Sequence, residues 1–364
     1  MTVISLCALI KIAVALEVMH NERYADSPKG VTMAATIRDI RDRTGLSLAT
    51  ISKYLNGGNV LPRNRKLIEE AIEELHYEVN ELARGLVTNR TKTIGVLVYD
   101  IQCLFVGNML HYLGQELHKN GYGMLICDSC NDEEIEEKNL QFLLNRKVDG
   151  ILVFAVSLNG RFLEPAKNAG VPVVLIDRAF RDIELDCVEL DNRTAVYRAA
   201  SKLIENNHRK IALVASDVEY TGMERMKGYR DALREAEIPV VDEYQVCARH
   251  SFELGYQGVK RLMKLPDPPT AVILSNYDTT LGGIMAINES GLNCPGDISI
   301  IGFDDILMTK VIRPKLWIMV QPMEEMSQRA IEMLLNRITK KEEGVPIRIS
   351  FSARMREGNS IRKM

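Results

Sequence analysis

The sequence predicts an all-α helix-turn-helix head followed by an α/β body made of two doubly wound parallel-sheet lobes. Three observations support this division. Three short helical patterns separated by turns precede residue 80, and from Thr93 onward apolar runs of strand length alternate with amphipathic stretches. The first unit is also basic, whereas the whole 364-residue chain has a net charge of −3.

The head is predicted from its turn and capping residues. A first helix ends in a turn at Gly45, and Ser47 is placed to cap a second helix in which Ile51 and Leu55 form the buried i, i+4 pair. Pro62 begins a third helix. Three helices in this order, with a glycine in the first turn, indicate a helix-turn-helix domain.

The charge of the head differs from that of the rest of the chain. The segment from Met33 to Lys66 has seven basic and two acidic residues, a net charge of +5. The remainder is therefore acidic. A basic module attached to an acidic body indicates a unit that binds nucleic acid.

The body is predicted from repeated βα units, which imply parallel sheets covered by helices on both faces. The predicted strands are Ile94–Tyr99, Met124–Cys127, Gly150–Ala155, Val171–Ile176, Ile211–Ala215, Thr270–Leu274 and Ile298–Phe303. The predicted helices include Asn108–Asn120, Glu133–Arg146, Thr194–Asn207 and Met223–Ala236. These elements are too many for one small sheet, so we expect two lobes whose ligand crevice lies at the carboxyl ends of the strands.

Between head and body, Asn80–Leu86 has the length of a two-turn helix and is followed by a polar stretch. Such a short helix is marginal in water, and Gly85 weakens it further. We therefore expect a hinge helix and linker over residues 80–92 that becomes ordered only in a complex.

Two other segments invite hypotheses. Cys127 and Cys130 form a CxxC that could serve redox chemistry or zinc binding, but no second CxxC or His pair accompanies it, which favours a structural role. Residues 1–32, which include the apolar stretch Val3–Met19, are a doubtful extension, and we expect natural translation to start at Met33. The alternative is a genuine amphipathic helix that packs on the body or on a membrane.

The chain resembles the lactose/galactose repressor (LacI/GalR) family from Thr36 to about Ser352. The resemblance depends on the order and spacing of several motifs: Thr36–Ile40, Gly45–Ser47, Thr50–Gly57, Glu74–Tyr77, Asn80, Ala83–Leu86, Val148–Ile151, Pro172–Arg178 and Asp297–Asp305. It implies a helix-turn-helix domain at 33–79 and periplasmic-binding-protein-like lobes joined by crossovers at 93–353. Residues 354–364 are expected to be a short basic tail.

The resemblance implies a transcriptional regulator, expected to be a repressor, whose homodimer binds a pseudo-palindromic operator. Lys53 can donate to guanine, Leu48 and Ala49 can contact thymine methyl groups, and Leu86 takes the position of an apolar wedge in the minor groove. Thr36, Ser47 and Thr50 are placed for phosphates. The full set assigned to DNA is Thr36, Ile37, Ser47, Leu48, Ala49, Thr50, Ser52, Lys53, Asn56, Tyr77, Asn80, Ala83 and Leu86.

The same resemblance implies a small-molecule effector, a sugar or sugar derivative, bound between the lobes. The residues assigned to it are Tyr99, Cys103, Phe105, Asp177, Arg225, His250, Asn276, Asp304 and Gln321. Three departures from the family pattern leave a sugar, a sugar acid or a purine-like ligand open: Gln102–Phe105, Tyr277 and Lys315–Trp317. Trp317 is expected at a lobe crossover.

Two rival functions were compared with this hypothesis. A sugar-binding transport protein shares the two lobes, but it needs a secretion signal directly before them and has no basic head. An enzyme is disfavoured because the chain has no GxGxxG after the first strand, no Walker motif, no nucleophile elbow and no HExxH. We therefore expect a cytoplasmic regulator with no catalytic residues, no metal, no cofactor and no membrane association.

Overall fold

The computed structural model describes residues 35–55, 57–77, 90–180, 182–305, 307–340 and 344–364. The predicted extension 1–32, most of the hinge segment 80–92, and the DNA-contact candidates Asn56, Asn80, Ala83 and Leu86 lie outside the described residues. The chain divides into two compact units, the head within residues 1–84 and the body within residues 85–364. Each is described separately.

The head is the predicted three-helix unit, with α1 at Ile37–Thr44, α2 at Leu48–Leu55 and α3 at Pro62–Glu74. Thr36 and Asp39 form a reciprocal capping box at the start of α1. Ser47 caps α2, since its Oγ accepts a hydrogen bond from the Thr50 N–H at 3.2 Å. Gly45 has a φ of +69°, which explains why the turn between α1 and α2 uses glycine.

The head has its own small core, in which Ile40, Ile51, Ile68 and Ala71 are buried. One residue of α1 and one of α2 meet two residues of α3 there, so each helix contributes its predicted apolar face. An ion pair between Arg43 and Glu74, at 2.7 Å, connects α1 to the end of α3. This packing fixes the orientation of α2 relative to α1 and α3.

The body contains two six-stranded sheets. The amino-terminal lobe (N-lobe) has the strand order β11-β5-β4-β3-β1-β2, with all pairings parallel. Its strands are β1 (Thr93–Val98), β2 (Gly123–Asp128), β3 (Gly150–Val153), β4 (Val173–Ile176), β5 (Asp186–Leu190) and β11 (Arg348–Phe351). Its helices are α4 (Leu104–Lys119), α5 (Glu133–Asn145), α6 (Glu164–Asn168) and α12 (Met323–Lys340).

The carboxy-terminal lobe (C-lobe) repeats this arrangement, with the strand order β12-β10-β9-β8-β6-β7. Its strands are β6 (Ile211–Ala215), β7 (Gln245–Cys247), β8 (Ala271–Leu274), β9 (Ser299–Phe303), β10 (Trp317–Val320) and β12 (Arg354–Arg356). Its helices are α7 (Asn192–Glu205), α8 (Tyr220–Glu235), α9 (Phe252–Met263), α10 (Tyr277–Glu289) and α11 (Leu307–Val311). Only β12 runs antiparallel to its neighbour.

The chain crosses between the lobes three times: after β5, after β10, and between β11 and β12. Two doubly wound lobes joined by crossovers confirm the predicted fold class. The structure corrects the expected tail, because residues 354–356 form an edge strand and Ser360 is fully buried. Ser360 Oγ donates to the Ile300 carbonyl at 2.7 Å and accepts from the Trp317 N–H at 2.8 Å, so these last residues complete the C-lobe.

Several details differ from the sequence prediction. Five short strands, β5, β7, β10, β11 and β12, are absent from the predicted runs, and α4 begins four residues earlier than expected. The five strands have only three to five residues each, and four of them contain charged or polar side chains that interrupt an apolar pattern. Within the described residues, no helix has the length and apolarity needed to cross a membrane.

Candidate functional site

The outward face of α2 presents the predicted DNA-contact residues. Leu48 is 38% exposed, and Ala49 and Lys53 are exposed as well. Ser47 and Thr36 also face solvent, which leaves their hydroxyl groups near the surface. Burial of Ile51 on the opposite side of α2 produces this arrangement.

Other predicted DNA-contact residues are less exposed. Thr50 and Ser52 are half-buried on α2, and both make contacts within the head. Ile37 and Tyr77 are partly buried against the head core, where burial raises the pKa of the Tyr77 hydroxyl. The side chains of Ile37 and Tyr77 therefore stabilise the head in addition to any contact with DNA.

A concave surface next to α2 adds residues that the sequence analysis did not assign. It has a volume of about 890 Å³ and lies between α2 and the start of α3. Its lining residues are Ala49, Thr50, Lys53, Asn59, Val60, Leu61, Pro62, Asn64 and Arg65. The signal that could have identified this surface is the basic run that follows Pro62, because a basic amino-terminal turn of a helix is suited to phosphate.

The body has a cleft between its lobes, and the structure places all nine predicted effector residues around one inner pocket of about 40 Å³. They are Tyr99, Cys103, Phe105, Asp177, Arg225, His250, Asn276, Asp304 and Gln321. Most of them follow the carboxyl ends of strands or begin the helices after them. This position agrees with the rule that open α/β sheets bind ligands beyond the carboxyl ends of their strands.

Asp177 and Asp304 occupy equivalent positions in the two lobes. Asp177 follows β4 and Asp304 follows β9, with φ angles of +74° and +68°. Both carboxyl groups are buried, and burial raises both pKa values although nearby arginines oppose this. A left-handed non-glycine residue costs roughly 1–2 kcal/mol, and such conformations concentrate at functional sites.

Arg225 is the central cation of the inner pocket. It lies on α8, is 3% exposed, and its guanidinium carbon is 4.1 Å from the centroid of the Phe303 ring. Its Nε donates to Asn192 Oδ1 at 2.8 Å, and its Nη1 donates to the Ser275 carbonyl. Burial lowers the pKa of Arg225, while Asp304 and Asp177 oppose this effect. The side chain is therefore fixed before any ligand arrives.

Gln321 contributes an unsatisfied group to the same pocket. Its amide nitrogen donates to Asp304 Oδ1 at 2.7 Å, and Asp304 Oδ2 accepts from the Tyr277 N–H at 3.3 Å. The Gln321 Oε1 atom is buried and has no hydrogen-bond partner among the described residues. A buried acceptor without a donor costs about 1–3 kcal/mol, which a ligand hydroxyl or amine would relieve.

His250 is held on both ring nitrogens. Its Nδ1 pairs with the Glu219 carboxylate, and its Nε2 lies 2.9 Å from Ser275 Oγ. Burial acts to raise the pKa of Glu219, but the hydrogen bond and charge of His250, with Arg178 nearby, lower it to about 2. Glu219 was not predicted. It is the residue directly before α8, and neither an apolar run nor a predicted strand end marks that position.

The N-lobe side of the inner pocket consists mainly of aromatic and sulfur groups. Tyr99 Oη is 3.4 Å from Cys103 Sγ, and burial raises the pKa of Tyr99 well above its ordinary value and that of Cys103 to about 11. The Arg178 guanidinium lies 5.2 Å from the Tyr99 ring centroid. Phe105 is 6% exposed and packs edge-on against Phe154, so it belongs to the core as well as to the pocket wall.

An outer cavity of about 330 Å³ continues from the inner pocket to the edge of the cleft. Its lining includes residues that the sequence analysis did not assign: Asp100, Gln102, Asn131, Arg178, Glu219, Thr221, Arg249, Ser251, Phe252 and Asp278. Arg178 directly follows Asp177, which the sequence analysis assigned to the effector. Ser251 and Asp278 lie at or near the start of a helix, so they could have been identified by including the first turn of each helix that follows a strand.

The cleft is connected to the lobe crossovers. Tyr220, the first residue of α8 in the C-lobe, donates its hydroxyl to Glu189 of β5 at 3.2 Å. Arg348 of β11 in turn donates to the Tyr220 oxygen at 2.9 Å and pairs with Glu189. Arg225 contacts Asn192 just beyond the first crossover. The helix that lines the pocket therefore contacts two strands that lead into crossovers.

Two further expectations are tested by the structure. Trp317 begins β10, whereas the second crossover follows the other end of that strand, so the expected position at a crossover is wrong. Cys127 is buried at the end of β2 and Cys130 is exposed, and both are free thiols. Within the described ranges, no group of three or more His, Cys, Asp or Glu side chains is arranged to hold a metal ion.

Comparison with known proteins gives consistent results. Residues 200–361 match a family described as a periplasmic binding protein-like domain. The chain is similar to catabolite control protein A of Priestia megaterium, with 32% identity over 85% of this chain and 94% of that protein. It is also similar to the HTH-type transcriptional repressor PurR of Pectobacterium carotovorum, with 33% identity over 85% of this chain and 92% of that protein.

Solved structures support the same assignment. The lac repressor dimer bound to operator has a TM-score of 0.81, with 20% identity over 91% of this chain and 100% of that chain, and this likeness supports the fold. The transcriptional regulator CelR in complex with cellobiose has a TM-score of 0.67, with 26% identity over 90% of this chain and 99% of that chain. The relatives are regulators rather than enzymes or transport proteins. The chain is therefore a member of the LacI family of transcriptional regulators.

Proposed function

We propose that the chain acts as a homodimeric transcriptional repressor whose operator affinity is set by a carbohydrate bound between the lobes of the body. The observation that best supports a ligand-controlled regulator is the convergence of the nine predicted effector residues on one pocket, with a preorganised arginine and an unsatisfied amide oxygen in its wall. Family membership supports the DNA-binding half of the proposal. A protein that binds chromosomal DNA acts in the cytoplasm of a bacterium, which is the location we infer.

In the proposed complex, α2 enters the major groove. Lys53 donates to a guanine acceptor, and Leu48 and Ala49 contact thymine methyl groups, because these side chains are exposed on the face opposite Ile51. Ser47, Thr36 and the start of α3 contact phosphates. We assign Leu86, Asn80 and Ala83, which lie outside the described residues, to DNA contacts of the hinge, with Leu86 as an apolar wedge in the minor groove.

The effector class is inferred from the chemistry of the pocket and from a relative. The inner pocket combines carboxyl, amide and guanidinium groups with three aromatic rings, Tyr99, Phe105 and Tyr277, a combination suited to a polyhydroxylated ligand. The related regulator CelR has been solved with cellobiose. A carbohydrate therefore suits this cleft better than a purine-like ligand.

Control of DNA binding follows from two lobe arrangements. A ligand that contacts both lobes stabilises one relative angle of the lobes, and this change reaches the strands at the crossovers through Tyr220 and Asn192. The hinge segment 80–92 then folds on DNA in only one of the two arrangements. Two half-sites related by the dimer axis give a pseudo-palindromic operator.

The DNA-binding role is tested with fragments that the protein itself selects from a random-sequence library. Lys53→Ala should weaken binding to the selected fragments by about 1–3 kcal/mol and relax the preference at one base pair of each half-site. Lys138→Ala is the matched control and should leave both affinities unchanged, because Lys138 is an exposed lysine of α5 in the body, 3.6 Å from Glu134. Equal losses on selected and scrambled DNA for Lys53→Ala would contradict base recognition by that residue.

A further inference from the structure

The inner pocket and the outer cavity form one continuous space. They share seven lining residues, among them Asp177, His250 and Asp278, and the outer cavity then extends to the edge of the cleft. The inner pocket, at about 40 Å³, has space for only a few water-sized groups. A sugar ring bound by its polar residues must therefore project into the outer cavity.

The edge of the outer cavity contains an exposed aromatic ring. Phe252, the first residue of α9, lines the cavity and is 41% exposed. Its ring is nearly parallel to that of Tyr256, with an interplanar angle of 13° and a centroid distance of 6.3 Å. The contact with Tyr256 restrains the Phe252 ring, so its exposed surface is available to the apolar face of a sugar at little cost in conformational entropy.

Polar groups from both lobes line the same outer cavity as this ring. Arg178 of the N-lobe is 6% exposed, and its Nε has no hydrogen-bond partner among the described residues. Arg249 of the C-lobe lies 3.5 Å from Asn131 of the N-lobe, and Asn131 also donates to Asp100 at 3.1 Å. A ligand hydroxyl oxygen would satisfy the buried Arg178 donor, while the contact between Arg249 and Asn131 places polar groups of both lobes at the same cavity.

We propose that the outer cavity is a second sugar subsite, so that the effector is a disaccharide or a glycoside of similar length. The first ring contacts Arg225, Asp304 and Gln321 in the inner pocket, and the second ring stacks on Phe252 and accepts a hydrogen bond from Arg178. The second ring contacts both lobes and thus adds to the ligand's preference for one lobe angle. This proposal rests on the proposed function, in which the cleft binds a carbohydrate.

The test uses matched sugars and variants. D-glucose is compared with cellobiose, maltose and trehalose, and D-galactose with lactose and melibiose, by thermal shift and then by calorimetry. At least one disaccharide should bind about tenfold more tightly than its constituent monosaccharides, and Phe252→Ala should remove that advantage, since an aromatic contact contributes about this much. Phe252→Trp should retain the advantage. Phe142→Ala, at a 40% exposed phenylalanine of α5 outside the cleft, should leave it unchanged.

Three other outcomes would contradict a second sugar subsite. Monosaccharides that bind as tightly as every disaccharide containing them would show that the second ring makes no contact. A Phe252→Ala variant with a changed sedimentation coefficient and an unchanged disaccharide affinity would assign the ring to a contact between two copies of the chain. Binding of no carbohydrate would also contradict the subsite. The selection of DNA fragments tests independently whether the chain is a sequence-specific DNA-binding regulator.

Discussion

The two lobes of the body have the same strand order, yet they contribute different chemistry to the cleft. Each lobe has a left-handed aspartate after the fourth strand of its sheet, Asp177 in the N-lobe and Asp304 in the C-lobe, and each aspartate N–H donates to the neighbouring strand at 2.9 Å and 2.8 Å respectively. Beyond this shared feature the walls diverge. In the inner pocket the N-lobe supplies mainly aromatic and sulfur groups, whereas the C-lobe supplies Arg225 and His250, which is paired with Glu219.

This difference separates two contributions to the cleft: the fold sets the positions of the two aspartates, and the individual side chains set the chemistry of each wall. The position of the aspartates follows from the sheet, because strand ends in equivalent places have equivalent backbone geometry. The charged groups Glu219, Arg225 and His250 follow from the start of α8 and the residues after β7, whereas the segment after β1 in the N-lobe contributes Tyr99, Cys103 and Phe105 to the inner pocket. We therefore expect substitutions in the C-lobe to affect ligand binding and pH dependence more strongly than those in the N-lobe.

The largest effect is expected for Arg225→Ala. This change removes the cation whose charge acts on both buried aspartates, Asp177 and Asp304, and removing one partner from a buried charged network costs roughly 3–5 kcal/mol. Affinity for any sugar that stabilises the wild-type protein should fall by at least about 100-fold, while DNA binding without sugar persists because the head is a separate unit. Calorimetry and DNA titration measure both quantities.

Arg230→Ala provides the control for Arg225→Ala. Arg230 lies on the same helix, is exposed, and donates to Gln245 at 2.8 Å. Its removal should change neither sugar affinity nor unfolding by more than about 0.5 kcal/mol. If Arg225→Ala changed sugar affinity and unfolding no more than Arg230→Ala does, the charged groups of the C-lobe would not determine ligand binding.

The second effect concerns pH. The folded-state pKa of Glu219 is about 2, below its ordinary value of 4.5, so Glu219 stabilises the folded protein above pH 4.5 and this contribution disappears as the pH falls toward 2. The contribution is on the order of 3 kcal/mol. Burial raises the pKa of Asp177 and Asp304, so their protonation at falling pH favours the folded state and has the opposite sign.

Glu219→Gln isolates the contribution of Glu219. Urea unfolding between pH 2 and pH 6 should show a shallower loss of stability in the variant than in the wild-type protein, with the two curves converging at low pH. Hydrogen exchange should assign the difference to the C-lobe. Identical slopes for the two proteins would contradict the role of the Glu219–His250 pair.

A smaller effect is expected in the N-lobe wall. Tyr99→Phe removes a hydroxyl whose contact with Cys103 Sγ is long, at 3.4 Å, so we expect a loss of unfolding free energy below about 1 kcal/mol. Sugar affinity should change by no more than a few-fold, because the ring and its contact with Arg178 remain. A loss above tenfold would show that the Tyr99 hydroxyl itself contacts the ligand.

The sequence was sufficient for the parts of the fold and site that depend on local pattern. The head helices, the two lobes and the nine inner-pocket residues follow from capping residues, apolar runs and the family motifs. Glu219, Asp278 and Phe252 were missed because they precede or begin helices, and only the packing of the two lobes brings them to the cleft. The edge strand at Arg354–Arg356 was missed because its basic residues resemble those of a solvent-exposed tail.

The smallest effect is expected at Trp317. This residue begins β10, with Lys202 Nζ 4.9 Å from its ring centroid, while Gln321 follows the opposite end of the strand. Four residues of strand separate the two positions by about 13 Å. A sugar that saturates the protein should therefore change Trp317 emission by only a few percent. The variant Phe252→Trp in a Trp317→Phe background should respond strongly, since its indole lines the cavity. A large change at Trp317 itself would mean that ligand binding rearranges β10, and the C-lobe would then be a moving element rather than a rigid charged wall.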